Sequence, residues 1–138
     1  MTDTLSIALS GLRAASTRAN AAASNIANAD TASAREGADG PAPYIPVDVV
    51  QTSITTQNGA PQGTSAQYTD RDPASVPAYE PDSPYADQDG LVATPNVDLA
   101  QETVDLKAAS QAYAANAAVV RVASEMEHEL LDRFDETV

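Results

Sequence analysis

Two stretches of this sequence repeat their apolar positions by sevens, and the stretch between them does not. In residues 3–29, Leu5, Leu12, Ala19 and Ile26 share one register, with Ala8, Ala15, Ala22 and Ala29 three residues further on. A stripe of this kind, sustained over more than three heptads, predicts a helix with a coiled-coil seam. Without a proline to break it, it would run about 40 Å at 1.5 Å per residue. All of its d positions are alanine, so a partner helix could approach unusually closely. Gly11 costs about 1 kcal/mol relative to alanine in a helix interior, which fits another backbone passing near it. Ala14 lies off the a/d stripe and is expected to accept a larger side chain than Ala15.

Residues 97–134 repeat the pattern. Leu99, Leu106, Tyr113 and Val120 keep the seven-residue step, with Ala109, Asn116, Ala123 and Leu130 three further on. Asp98 and Gln101 have the spacing of a capping box, and Asn96 is an alternative cap. Asn116 occupies a d position, where a polar residue can fix register and oligomer state at some cost in stability. The other reading, a drifting stripe that turns Asn116 to water, stands beside it.

The middle has another texture. Eight of the nine prolines fall between Pro41 and Pro84, and ten acids against two arginines give residues 30–96 a charge of -8. "YIPVDVVQTSITTQ" (44–57) is β-branched and precedes the turn signal "NGAPQG". "TSAQYTD" and "GLVAT" suggest further short strands, which Pro46, Pro73 and Pro77 restrict to sheet edges. The chain thus divides into an N-terminal helix (1–31), a poorly buried β and loop insert (32–95) and a C-terminal helix (96–138). The fold class is mainly α, with two long coiled-coil helices bracketing a proline-rich insert.

Composition changes what such helices can do alone. Of the 59 hydrophobic residues 28 are alanine, against 24 Leu, Ile, Val and Phe together. An alanine methyl contributes about 0.8 kcal/mol on burial, a whole leucine roughly 1.5–3. The stripes therefore depend on neighbours for their order. A net charge of -13 disfavours nucleic acid or an anionic membrane as partner. With no cysteine there is neither a disulfide framework nor a thiolate metal site. "MTDTLSIALSGLRAAS" carries Asp3 where a secretory signal has basic residues, and no stretch is long and apolar enough for a membrane span.

Candidate chemistry is sparse. In "DSPYADQDGLVATPNVDL" (82–99), Asp82, Asp87 and Asp89 lead into Gly90 as in calcium loops. An EF-hand would need an acid where Tyr85 sits and a glutamate where Asn96 sits. Asp87 to Gly90 is instead expected to form a tight turn. His128, the one histidine, lies among Glu125, Glu127, Glu129 and Asp132 on an acidic face that is expected to be solvated. Serine-hydrolase, phosphate-loop and dinucleotide motifs are all missing. We expect no catalytic residue, cofactor or metal. The competing reading is a secreted acidic enzyme or a calcium-dependent binding module carried by the middle segment.

Two stretches resemble a known family. "SNIANADT" (24–31) is similar to the N-terminal signature of bacterial flagellar rod and hook axial proteins. "YEPDSPYADQDGLVATPNVDLAQETVDLKAASQAYAANAAVV" (79–120) resembles the region that marks the proximal-rod type. Tyr79, Glu80 and Pro81, then Pro84, Asp87 and Asp89, Gly90 with Val92, Pro95 to Asp98, and Ala112 to Asn116 carry the match. The chain departs in having Asp-Ser-Pro where Gly-His-Pro is usual, and its variable 32–78 insert does not align with the family pattern. The resemblance implies a non-enzymatic subunit of the basal-body rod that crosses the periplasm, exported by the flagellar type III apparatus without a cleaved signal. Its partners would be itself and sibling rod proteins, with no nucleic acid and no membrane insertion. The assembly contacts expected are Leu5, Leu12, Ala15, Ala19, Ala22, Ile26, Leu99, Leu106, Tyr113, Asn116 and Val120, with Asn25 and Asn28 of the signature. The 82–99 stretch becomes a joint that returns the chain to the second helix.

Overall fold

A computed structural model describes residues 2–35 and 40–135. Helix α1 spans Thr2–Asn28 and helix α2 spans Leu99–Asp135. Between them lie two antiparallel two-stranded sheets: β1 (Val47–Thr55) with β2 (Pro61–Asp70), and β3 (Ser75–Tyr79) with β4 (Leu91–Pro95). The fold is mainly α with a small β insert.

Local chemistry accounts for the element ends. Asn28 closes α1: its side-chain amide donates to the Ser24 carbonyl at 2.8 Å, and its own carbonyl accepts from Thr31 N–H and hydroxyl. Asp98 caps α2, its Oδ1 accepting from Ala100 N–H at 2.9 Å and Gln101 N–H at 3.2 Å. The reciprocal half of the capping box is not formed, because the Gln101 amide reaches forward to Asp105 at 2.9 Å. Asn96 is no cap. Its side chain donates to the Pro73 carbonyl and its N–H to the Ala74 carbonyl, which extends the β3–β4 pairing past the strand ends.

The β1–β2 hairpin turns at residues 56–60, where the Thr56 carbonyl accepts Gly59 N–H and the Ala60 carbonyl accepts Thr56 N–H, both at 2.9 Å. Strand β3 contains Pro77 opposite Ala93, at the edge of its sheet as a proline requires. Past α1 the chain adds a short third line to this sheet: Ser33 and Ala93 exchange both backbone hydrogen bonds at 3.0 Å. Val92, fully buried, sits there with Ala34 and Ala93.

The helices pack against each other, and antiparallel: Asn25 meets Glu102 while Gly11 meets Asn116. Each alanine stripe therefore finds its partner in the same chain. Ala8, Ala15 and Ala22 are buried, and Ala109 is fully so. Two expectations need correcting. Gly11 makes room for the side chain of Asn116, not for a backbone, since a Cβ there would stand 2.5 Å from its Oδ1. Ala14 is 3% exposed, as buried as Ala15. The hairpin covers that neighbouring face, so α1 buries a broader arc than an a/d stripe. Strand β2 crosses α1 at Gly63, where φ is +115° and a side chain would overlap the Ser10 hydroxyl. Ser10 Oγ accepts from Thr64 N–H at 3.0 Å and donates to the Ile7 carbonyl at 2.6 Å.

Candidate assembly surface and polar joint

Four segments meet at one polar joint near the base of the helix pair. Asn25 is fully buried and uses its whole amide. Nδ2 donates to the Val47 carbonyl at 2.9 Å and to Glu102 Oε1 at 3.0 Å. Oδ1 accepts from Val47 N–H at 3.0 Å and from the Tyr44 hydroxyl at 3.1 Å. The side chain thus takes both backbone groups of Val47, as a neighbouring strand would, and holds β1 onto α1. Glu102, 4% exposed, receives a second donor from Arg71 Nη2 at 2.8 Å. Arg71 also binds Asp48 on β1 and the Asn96 carbonyl before α2. The Asp48 hydrogen bond raises the guanidinium pKa well above its ordinary value against the opposing effect of partial burial, and Glu102 adds to it. Arg71 is a fixed cation between two carboxylates.

Sequence reading placed Asn25 on the first helix but found none of its partners. Tyr44, Val47 and Glu102 are brought to it from up to 77 residues away, and Arg71 and Asp48 join through Glu102. One signal was present: Arg71 is one of only two cations in an acidic segment, flanked by Asp70 and Asp72.

The 82–99 stretch forms the expected turn. Gly90 N–H donates to the Asp87 carbonyl, and Asp87 N–H to the Leu91 carbonyl, both at 3.0 Å. Asp87 Oδ1 accepts from Asp89 and Leu91 N–H at 2.9 Å, and Oδ2 pairs with Arg35 at 2.8 Å. The Leu91 amide, then Arg35, hold the Asp87 carboxyl below the usual carboxylate range. A carboxyl whose folded pKa is depressed adds stability above its unfolded pKa, and that stability is lost as pH falls through the folded one. Asp87→Ala should therefore lower the thermal midpoint at neutral pH, and the deficit should shrink in acid. Asp89→Ala, which removes a carboxylate the turn does not use, should melt like the parent. A deficit for Asp87→Ala that persists unchanged in acid would show that the carboxylate is not the turn's support.

The remaining stripe residues define a surface. Ala15, Ala22 and Asn116 face the other helix. Leu5, Leu12, Ala19 and Ile26 on α1 and Leu106 and Val120 on α2 are only half-buried, while Leu99 and Tyr113 are exposed. On both helices this stripe precedes the inner one by three residues, roughly 60° around the axis. Because the helices are antiparallel, equal rotations in the same sense carry both stripes to one side of the pair. The hairpin lies on the other, against Ile7 and Ser10. Among the described residues this leaves a partly exposed apolar flank along the pair. It extends beyond α1, because the register sets Thr2 opposite the region of Glu125, and the last turns of α2 expose Met126, Leu130 and Leu131. His128 is exposed on the same overhang.

Comparison with known proteins bears on both features. Residues 5–35 match the family model for flagella basal body rod proteins, and residues 88–133 match that for the C-terminal region of flagellar basal body rod FlgEFG proteins. The flagellar basal-body rod protein FlgC of Escherichia coli O6:H1 is 38% identical over 123 residues, covering 87% of each chain. That of Salmonella typhimurium is 37% identical over 121 residues, again 87% of each. That of Agrobacterium fabrum is 34% identical over 116 residues, 83% of this chain and 81% of its own. The family-model matches hold most of α1 with Asn25, and strand β4 with most of α2.

Proposed function

The chain belongs to the FlgC-type flagellar basal-body rod proteins and is a structural subunit of the rod; from that premise we propose how it assembles. It works without catalysis, as a part of the proximal rod in the drive shaft that spans the periplasm. It polymerises with itself and with sibling rod proteins through its terminal helices, which form a coiled-coil inner layer, while the insert stays outside. The observation that carries this reading is the uncovered flank of Leu5, Leu12, Leu106, Tyr113 and Val120, on the side of the helix pair away from the hairpin. A helix from a neighbouring subunit would bury it, and would supply the large apolar contacts that the alanine seam lacks.

The secreted enzyme or calcium-module reading has no such support, since Asp87 is spent on its own turn. Membership of the rod family favours delivery through the flagellar type III apparatus. Motility then depends on this subunit being delivered and built in.

Tyr113→Glu tests the proposal. Tyr113 is 48% exposed, so the variant should fold like the parent, yet fail to enter basal bodies and leave cells non-motile. Normal swimming would remove the flank from the assembly surface.

A further inference from the structure

Small residues recur by sevens in the seam, as Ala8, Ala15 and Ala22 on α1 and Ala109 and Ala123 on α2, and an alanine does not distinguish one heptad from the next. Sliding α2 by seven residues, about 10 Å, keeps the same stripes facing each other. Two contacts break that uniformity. At one end Asn116 fills the space above Gly11, where any Cβ would meet its amide within 2.5–2.8 Å, and its Nδ2 is tied to the Ala112 carbonyl at 2.8 Å. At the other, Asn25 binds Glu102 at 3.0 Å inside the joint. Gly11 and Asn25 are two heptads apart on α1, and Glu102 and Asn116 are two heptads apart on α2. Both contacts are therefore satisfied together in one register. A slip one way sets Ala109 opposite Asn25, leaving a buried amide short of a partner, and sets Asn116 opposite Arg18. A slip the other way sets Asn116 opposite Thr4 and Ala109 opposite Gly11.

We propose that Gly11–Asn116 and Asn25–Glu102 act as two pins that select the α1–α2 register, and that register rather than stability is their contribution. A polar group on an apolar seam is best attested in this role, where it costs stability and excludes alternatives. The proposal concerns the single chain and stands whether or not the uncovered flank is the assembly surface.

Because the protein has no cysteine, spin labels can be placed at Ala27→Cys and Ser124→Cys, exposed positions far apart along the pair. The parent should give one distance. The pins are removed without stranding a buried charge by combining Asn116→Ala, Glu102→Met and Arg71→Met. That variant should keep its helical signal and show a second distance about 10 Å from the first, the length of one heptad. A single parental distance would show that the short links at the base, held by Ser33 and Ala93, set the register without pins. Loss of the helical signal would overturn the claim that the pins contribute register and not stability.

Discussion

Ala15→Leu should destabilise the helix pair by roughly 1–3 kcal/mol, the usual cost of overpacking a filled interior. By simple burial it would do the opposite, since a leucine brings more apolar surface than a methyl group. Space decides the sign. Ala15 is 3% exposed against a helix close enough for Asn116 to rest on Gly11, so the added atoms must push the backbones apart. Ala14→Leu should fail as well, because Ala14 is buried to the same degree on the adjoining arc. Ala118→Leu, on an exposed face of α2, should unfold in urea at the parental midpoint. In cells the first two should abolish rod assembly and swimming while the protein is still made. Equal tolerance at positions 14, 15 and 118 would show that the seam is loose, and that the small residues are there for some other reason.

The difference between Ala14 and Ala15 shows where sequence reading stops. A heptad stripe reports the face a helix turns to another helix, and Ala8, Ala15, Ala22 and Ala109 are where the repeat put them. It carries no record of a β hairpin laid over the next arc of the same helix, which is what buries Ala14. Local signals fared well for the same reason that the hairpin's docking escaped. The turn after β1, the Asp98 cap and the Asp87 turn each involve residues within a few positions of one another. Strand β3 was missed because "SVPAY" carries a proline, and its pairing with β4 spans a loop that no local pattern announces. The joint was the least legible part. Asn25 sits in an ordinary polar position of an alanine-rich helix, and only the assembled chain shows its four hydrogen bonds to Tyr44, Val47 and Glu102. The family resemblance drew attention to that asparagine without saying what it touches; the structure places it inside the chain, fully buried.

Removing Arg71 should cost far more than removing any exposed arginine. Its guanidinium supplies the charged partner of Glu102, whose side chain is only 5% exposed, and Arg71→Met would leave that carboxylate buried with the Asn25 amide alone. An uncompensated buried charge costs about 3–5 kcal/mol. Arg121 makes an outwardly similar ion pair with Glu125, but at 3.9 Å and with both side chains mostly in water. Such a pair is worth roughly 0–1 kcal/mol, so Arg121→Met should be nearly silent in the same urea titration. The two mechanisms by which Arg71 could matter are then separated by a second substitution. If the penalty is the stranded charge, Arg71→Met with Glu102→Met should recover most of the loss, since an apolar pair of similar size needs no counter-ion. If instead the guanidinium's bonds to Asp48 and the Asn96 carbonyl hold the sheets to α2, the double variant should stay as unstable as the single one. Recovery is the expected result. It would make Glu102, not Arg71, the residue that demands the joint: a carboxylate buried near the start of α2 that needs a cation beside it.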